Sequence, residues 1–205
     1  MKSLLLILLL LANSVYASEV IEYVTVDGQQ FVVLDGNINI YIDDNPEANI
    51  DDVLSKIDPE PLTLIVIRSG GGSEHLFATL MNGLVDKATE VKMIIVGECS
   101  SACTFIAPMA NEAIAVHGES MIRVHRTSFT WGDSTWTNKS EDQAAEYGAY
   151  GASETWFLNN SFVFSDDNSL YELTSQQAIN SGLVDKYIER QFLPKTIQSL
   201  LINYN

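Results

Sequence analysis

Residues 97–104 read Gly97-Glu98-Cys99-Ser100-Ser101-Ala102-Cys103-Thr104 and join an apolar run, Val91 to Val96, to a second one beginning at Phe105. Small residues between a strand and a helix can hold a hydroxyl at a tight bend, beside the free N–H groups and positive end of the helix. Negative charge developing on a reacting carbonyl oxygen is favoured there, as acyl transfer requires. The same octet also fits an ordinary turn whose serines cap the helix. A second candidate is Arg68-Ser69-Gly70-Gly71-Gly72-Ser73, between the apolar run Thr63 to Ile67 and a segment with Leu76, Phe77, Leu80, Met81, Leu84 and Val85 at helical spacing. Three glycines let backbone approach a ligand closely with N–H groups facing it. The lysine and Ser/Thr of a phosphate loop do not follow.

Cys99 and Cys103 are the only cysteines. A spacing of four on a helix leaves Cα atoms about 6 Å apart, within reach of a disulfide. These two and the scattered His75, His117 and His125 fall short of a metal-ligand set. The pair also lacks the two-residue spacing of a redox motif. No metal and no cofactor are expected.

The elements that must carry these turns follow from the apolar pattern. Val20 to Val26, Gln30 to Leu34 and Ile38 to Ile42 read as strands separated by Asp27-Gly28 and Asp35-Gly36, predicting a meander. A helix capped by Asn49 runs to Ile57, before Pro59 and Pro61. Thr63 to Ile67 is a strand buried on both faces. Strand, glycine turn, helix, strand, serine turn, helix is a βαβ series. It predicts an α/β fold with a mainly parallel sheet and right-handed crossovers, with both turns at the carboxyl ends of strands. Pro108 shortens the second helix, and strands follow at Glu112 to Val116 and Met121 to His125. Arg126 to Lys139 reads as a long loop, then a helix from Ser140 to Asn160 weakened by Gly148 and Gly151. Thr174 to Asp185 is a capped short helix, a glycine stop and a strand.

The chain opens with Lys2, an apolar run from Leu4 to Leu11, and Val15 and Ala17 before a cleavage point. That is a secretory leader over residues 1–17, too short for a membrane span of roughly 20 residues. Residues 18–205 then form one exported domain, periplasmic or secreted, with no stable membrane span after cleavage. The net charge of −16 argues against a nucleic-acid partner.

Ser69-Gly70-Gly71-Gly72, the octet, the Met-Ile-Arg-Val-His strand ending at His125 and Gly182-Leu183-Val184-Asp185 together resemble the ClpP/crotonase superfamily, and within it the exported ClpP-like serine peptidases. The resemblance covers about Asn37 to Ile188. It implies a spiral of ββα units around the parallel sheet, with Ser101 as nucleophile and His125, 24 positions later, as base. It also implies oxyanion donors from the amides of Gly72 and Ala102, a peptide or protein substrate, and self-association into a homo-oligomer. Gly70 stands where the family has proline, and Leu170 where it has the third acid of the triad, so Asp167 is the acid nearest that place. Two alternatives stay open. One is a Ser-Lys peptidase like signal peptide peptidase A, with a buried Lys139 as base. The other is a catalytically degraded module that binds peptides in the same cleft.

Overall fold

The computed structural model describes residues 20–38, 46–131, 134–165 and 169–204. The leader, most of the third expected strand and Asp167 therefore lie outside the described residues. In chain order the elements are β1 (Ile21–Val26), β2 (Gln29–Asp35), α1 (Pro46–Ser55), β3 (Leu62–Arg68), α2 (Glu74–Lys87) and β4 (Val91–Ile95). Next come β5 (Glu98–Ser100), α3 (Ala102–Ile106), β6 (Glu112–Val116), β7 (Met121–Val124), β8 (Ser128–Trp131), β9 (Ser134–Thr137) and α4 (Ser140–Ala149). The chain ends with α5 (Glu154–Asn159), β10 (Tyr171–Glu172), α6 (Ser175–Asn180), β11 (Lys186–Ile188) and α7 (Lys195–Leu201).

The main sheet has the order β1-β2-β3-β4-β6-β11, antiparallel only between β1 and β2. It is mixed α/β and mostly parallel, as the βαβ reading predicts. Asp27 and Gly28 take φ of 51° and 76°, the left-handed pair that a tight hairpin needs. The second Asp-Gly does not make a hairpin, since β2 pairs in parallel with β3 instead.

Successive side chains of these strands face opposite layers. Val32, Leu34, Leu64, Val66, Met93 and Ile95 pack toward α2 and α3. Phe31, Val33, Ile65, Ile94 and Val116 pack on the other side against Ile197, Leu200 and Leu201 of α7. Helix α1 begins at Pro46 rather than after Asn49, because proline suits a first helical turn whose amides have no acceptor. The helix expected over 140–160 is two helices, α4 and α5. Gly151, at φ 102°, turns the chain between them and Ser153 caps the second by accepting from the Trp156 N–H.

The Met121–His125 strand does not join the main sheet. After β4 the chain turns at Gly97, where an added Cβ would lie 2.2 Å from the Ile67 carbonyl oxygen. β5 then departs to pair with β7 in a separate sheet, β10-β7-β5. The stretch read as a long loop after His125 contains the hairpin β8–β9.

Candidate active site

The octet supplies both β5 and the start of α3, with Ser101 between them at φ 54° and ψ −125°. A non-glycine residue there carries backbone strain of about 1–3 kcal/mol, and three neighbours hold it. Its N–H donates to the Arg123 carbonyl oxygen of β7 at 3.0 Å, and its own carbonyl oxygen accepts from Thr104 Oγ1 at 2.6 Å. The Cys99 and Cys103 sulfurs, at a bonding distance of 2.02 Å, tie the strand to the helix across it.

β7 runs parallel to β5 in the small sheet, and His125 follows its last residue. His125 Nε2 lies 2.6 Å from Ser101 Oγ. Both residues are half-buried, so the pair is open to a substrate while supported from behind. Arg126, next in the chain, donates from Nε and Nη2 to the Ser165 carbonyl oxygen at 3.1 and 2.9 Å, which ties the end of the His125 strand to the segment before Asp167.

The glycine turn is stitched to the elbow edge to edge. Ser69 N–H donates to Glu98 O at 2.7 Å, and Ser100 N–H donates to Ser69 O at 2.9 Å. A Cβ on Gly71 would fall 2.6 Å from Ser101 Cβ, so only glycine allows that approach. Gly72 is exposed and bridged to Ile38, with the Ser73 amide rather than its own donating to Ile38 O at 2.8 Å. Ala102 is the first residue of α3, where an amide has no acceptor inside the helix.

Lys139 is exposed, at the start of α4, whereas the Ser-Lys alternative calls for it to be buried. His75 and His117 are exposed as well. Leu170, where the resemblance would put a third acid, is 45% exposed. Among the described residues no cluster of three or more His, Cys, Asp or Glu forms a metal site, and no helix is long and apolar enough to cross a membrane.

The sequence alone did not single out the residues behind the elbow. Tyr147 is fully buried, stacked on Phe105 and Phe157 with ring centroids 4.4 and 4.3 Å away. Its hydroxyl lies 2.8 Å from Thr104 Oγ1, and burial raises its pKa, so it stays a neutral phenol. The chain Tyr147, Thr104, Ser101 O thus anchors the elbow to α4. Thr104's place three residues after Ser101 was the available signal; Tyr147, 43 positions further on, had none.

A cavity of about 660 Å³ lies elsewhere, lined by Phe31, Leu62, Ile94, Ile114, Leu193 and Ile197 among others. It sits at the amino-terminal ends of the parallel strands, and Ser101, His125 and the two turns beside them do not line it.

The architecture places the chain among α/β proteins with a mostly parallel central sheet, with the glycine turn and the Ser101 bend at strand carboxyl ends. No protein-family model and no curated protein sequence matches it. Among solved structures, it is similar to a ClpP1 mutant from Listeria monocytogenes, with a TM-score of 0.49, 18% identity, and coverage of 78% of this chain and 92% of that one.

Proposed function

We propose that this chain is a serine hydrolase whose nucleophile is Ser101 and whose general base is His125. The observation that carries the reading is the 2.6 Å contact between His125 Nε2 and Ser101 Oγ, made by a serine on a strained strand-to-helix elbow. Such an elbow presents a hydroxyl to a carbonyl carbon while the following helix amides lie alongside. His125 takes the Ser101 proton as Oγ attacks a peptide or ester carbonyl. The oxyanion is held by the Ala102 amide and, from the exposed glycine turn, by Gly72. His125 then protonates the leaving group, and water repeats the sequence on the acyl-enzyme. Loss of one oxyanion donor costs about 3–4 kcal/mol of barrier.

Asp167 is the proposed orienting acid, on a segment whose near end, Ser165, is bonded by Arg126. The substrate class is a peptide or protein, and the order of glycine turn, serine elbow, histidine and Gly-Leu-Val-Asp supports a ClpP/crotonase-like spiral of ββα units. Export with loss of residues 1–17 fits the cysteine pair, since disulfides persist in oxidising compartments. Self-association is part of the same reading.

The test is fluorophosphonate labelling of residues 18–205. The expected result is labelling of the native protein that Ser101→Ala abolishes and His125→Ala reduces by at least about 10³-fold. A folded native protein that does not label, with the cysteine pair oxidised or reduced, would replace this reading with a peptide-binding module.

A further inference from the structure

Strands β2 and β4 flank β3, and their continuations flank the glycine turn that follows β3. On the β4 side stands the Ser101 elbow. On the β2 side, Gly36 N–H donates to Arg68 O at 2.7 Å, Arg68 Nε donates to Asp35 Oδ1 at 3.1 Å, and Ser73 N–H donates to Ile38 O at 2.8 Å. Between these bonds the exposed Asn37 reaches the turn itself, its Oδ1 accepting from the Gly70 N–H at 2.6 Å. The next amide, that of Gly71, donates to Ser69 Oγ at 3.2 Å. Side chains thus take the first two of the three glycine amides. The third, that of Gly72, has no acceptor among the described residues, and it is the amide assigned above to the oxyanion.

We propose that Asn37 is a positioning residue for the Gly72 oxyanion donor, holding the glycine turn through the Gly70 amide; the inference rests on the serine-hydrolase reading. Three consecutive glycines restrain their own backbone least of all residues, yet an oxyanion donor acts only if it is already aimed. A proline at position 70 would supply the restraint through its ring, which fixes φ near about −65° and carries no N–H. Glycine there supplies none, but it has the N–H that proline lacks, and Asn37 binds it. The site is built for either device. Gly70, unlike Gly71 and Gly72, does not take a positive φ, and Ser69 before it lies in a β-bridge to Cys99, the extended backbone that a residue preceding proline needs. The nearest atoms to a Cβ placed on Gly70 belong to the Asn37 side chain, with Oδ1 at 3.1 Å. Asn37 therefore occupies the space and takes over the task of the missing ring. Without it the turn keeps its bonds at Ser69 and Ser73 but loses the one between them. A displacement on the order of 1 Å at a reacting group costs up to about 10²-fold in rate.

The test uses the full mature chain, native, as Asn37→Ala, and as Asn37→Ala combined with Gly70→Pro. Fluorophosphonate labelling is followed over a range of probe concentrations, so that the rate at saturation and the half-saturating concentration are read separately, and urea midpoints are measured beside them. Asn37→Ala is expected to lower the saturating rate by about 10- to 100-fold. Its half-saturating concentration and urea midpoint should stay close to native, since one exposed hydrogen bond contributes little to stability. The double variant, whose proline ring enters the space that Asn37 leaves, should recover most of the lost rate. A saturating rate unchanged in Asn37→Ala, a loss carried by the half-saturating concentration or by unfolding, or a double variant as slow as Asn37→Ala would overturn the role of Asn37 while leaving the hydrolase reading in place. A folded native protein that does not label would overturn the hydrolase reading, and this inference with it.

Discussion

Ser101 keeps a backbone conformation that an isolated serine avoids, so its neighbours supply the free energy that holds it there. Thr104 does so most directly, because one hydroxyl serves both the Ser101 carbonyl oxygen and the Tyr147 phenol. Thr104→Val keeps the shape and removes the oxygen, leaving the buried Tyr147 hydroxyl without that partner. An unsatisfied buried polar group costs about 1–3 kcal/mol, so denaturant unfolding should show a loss of that size, together with slower labelling of Ser101. Gly71→Ala acts on the same elbow from the other side. Its Cβ would enter the space of Ser101 Cβ, at a φ of 98°, and labelling should be lost while circular dichroism reports a folded chain.

At the level of elements, strand β5, helix α3 and the cysteine pair behave as one staple around the Ser101 turn. Closing so short a loop restricts the unfolded chain little, and the loop-closure relation gives about 2 kcal/mol. Reduction, or paired replacement of Cys99 and Cys103 by serine, should therefore lower the unfolding free energy by at most about that amount. Its larger expected effect is on the Ser101 labelling rate, measured beside the oxidised protein. The short helix α6 makes a parallel point in a place free of chemistry. The Thr174 side chain accepts from the Gln177 N–H, and the Gln177 side chain accepts from the Thr174 N–H. This capping box was legible because its partners are three residues apart. The hairpin β8–β9 and the departure of β5 were not, because each is fixed by what the segment meets in space. Gly97 can pass Ile67 only without a side chain, and no local pattern announces that encounter.

Across the whole molecule, the parallel sheet separates two apolar layers, and α7 closes one of them. Leu200 is 5% exposed in that layer, so Leu200→Ala should cost about 2–5 kcal/mol, read from denaturant midpoints. Stability should also respond to pH through Glu146. Its folded pKa of about 7 lies above its ordinary value of 4.5, so the folded state holds the proton more firmly than the unfolded one. The associated stability is present in full below about 4.5 and is lost as pH rises through about 7. Urea midpoints should fall over that window in the native protein and fall less in Glu146→Gln. Solvent reaching this half-buried group reduces the size of the effect.

What the sequence determined by itself was whatever depends on near neighbours: the alternation of buried strands, the Asp27-Gly28 hairpin, and the order of the two turns along a βαβ series. It also set Ser101 on a tight bend and brought the two cysteines within reach of each other. Tertiary structure decided the rest. It moved β7 into a second sheet, which brought the end of that strand to the elbow and left Lys139 in solvent. It put Tyr147 behind Thr104, and it brought Gln143 and Glu146 of α4 to Thr127. Those contacts join residues tens of positions apart, and their cause is packing in three dimensions, which periodicity along the chain does not encode.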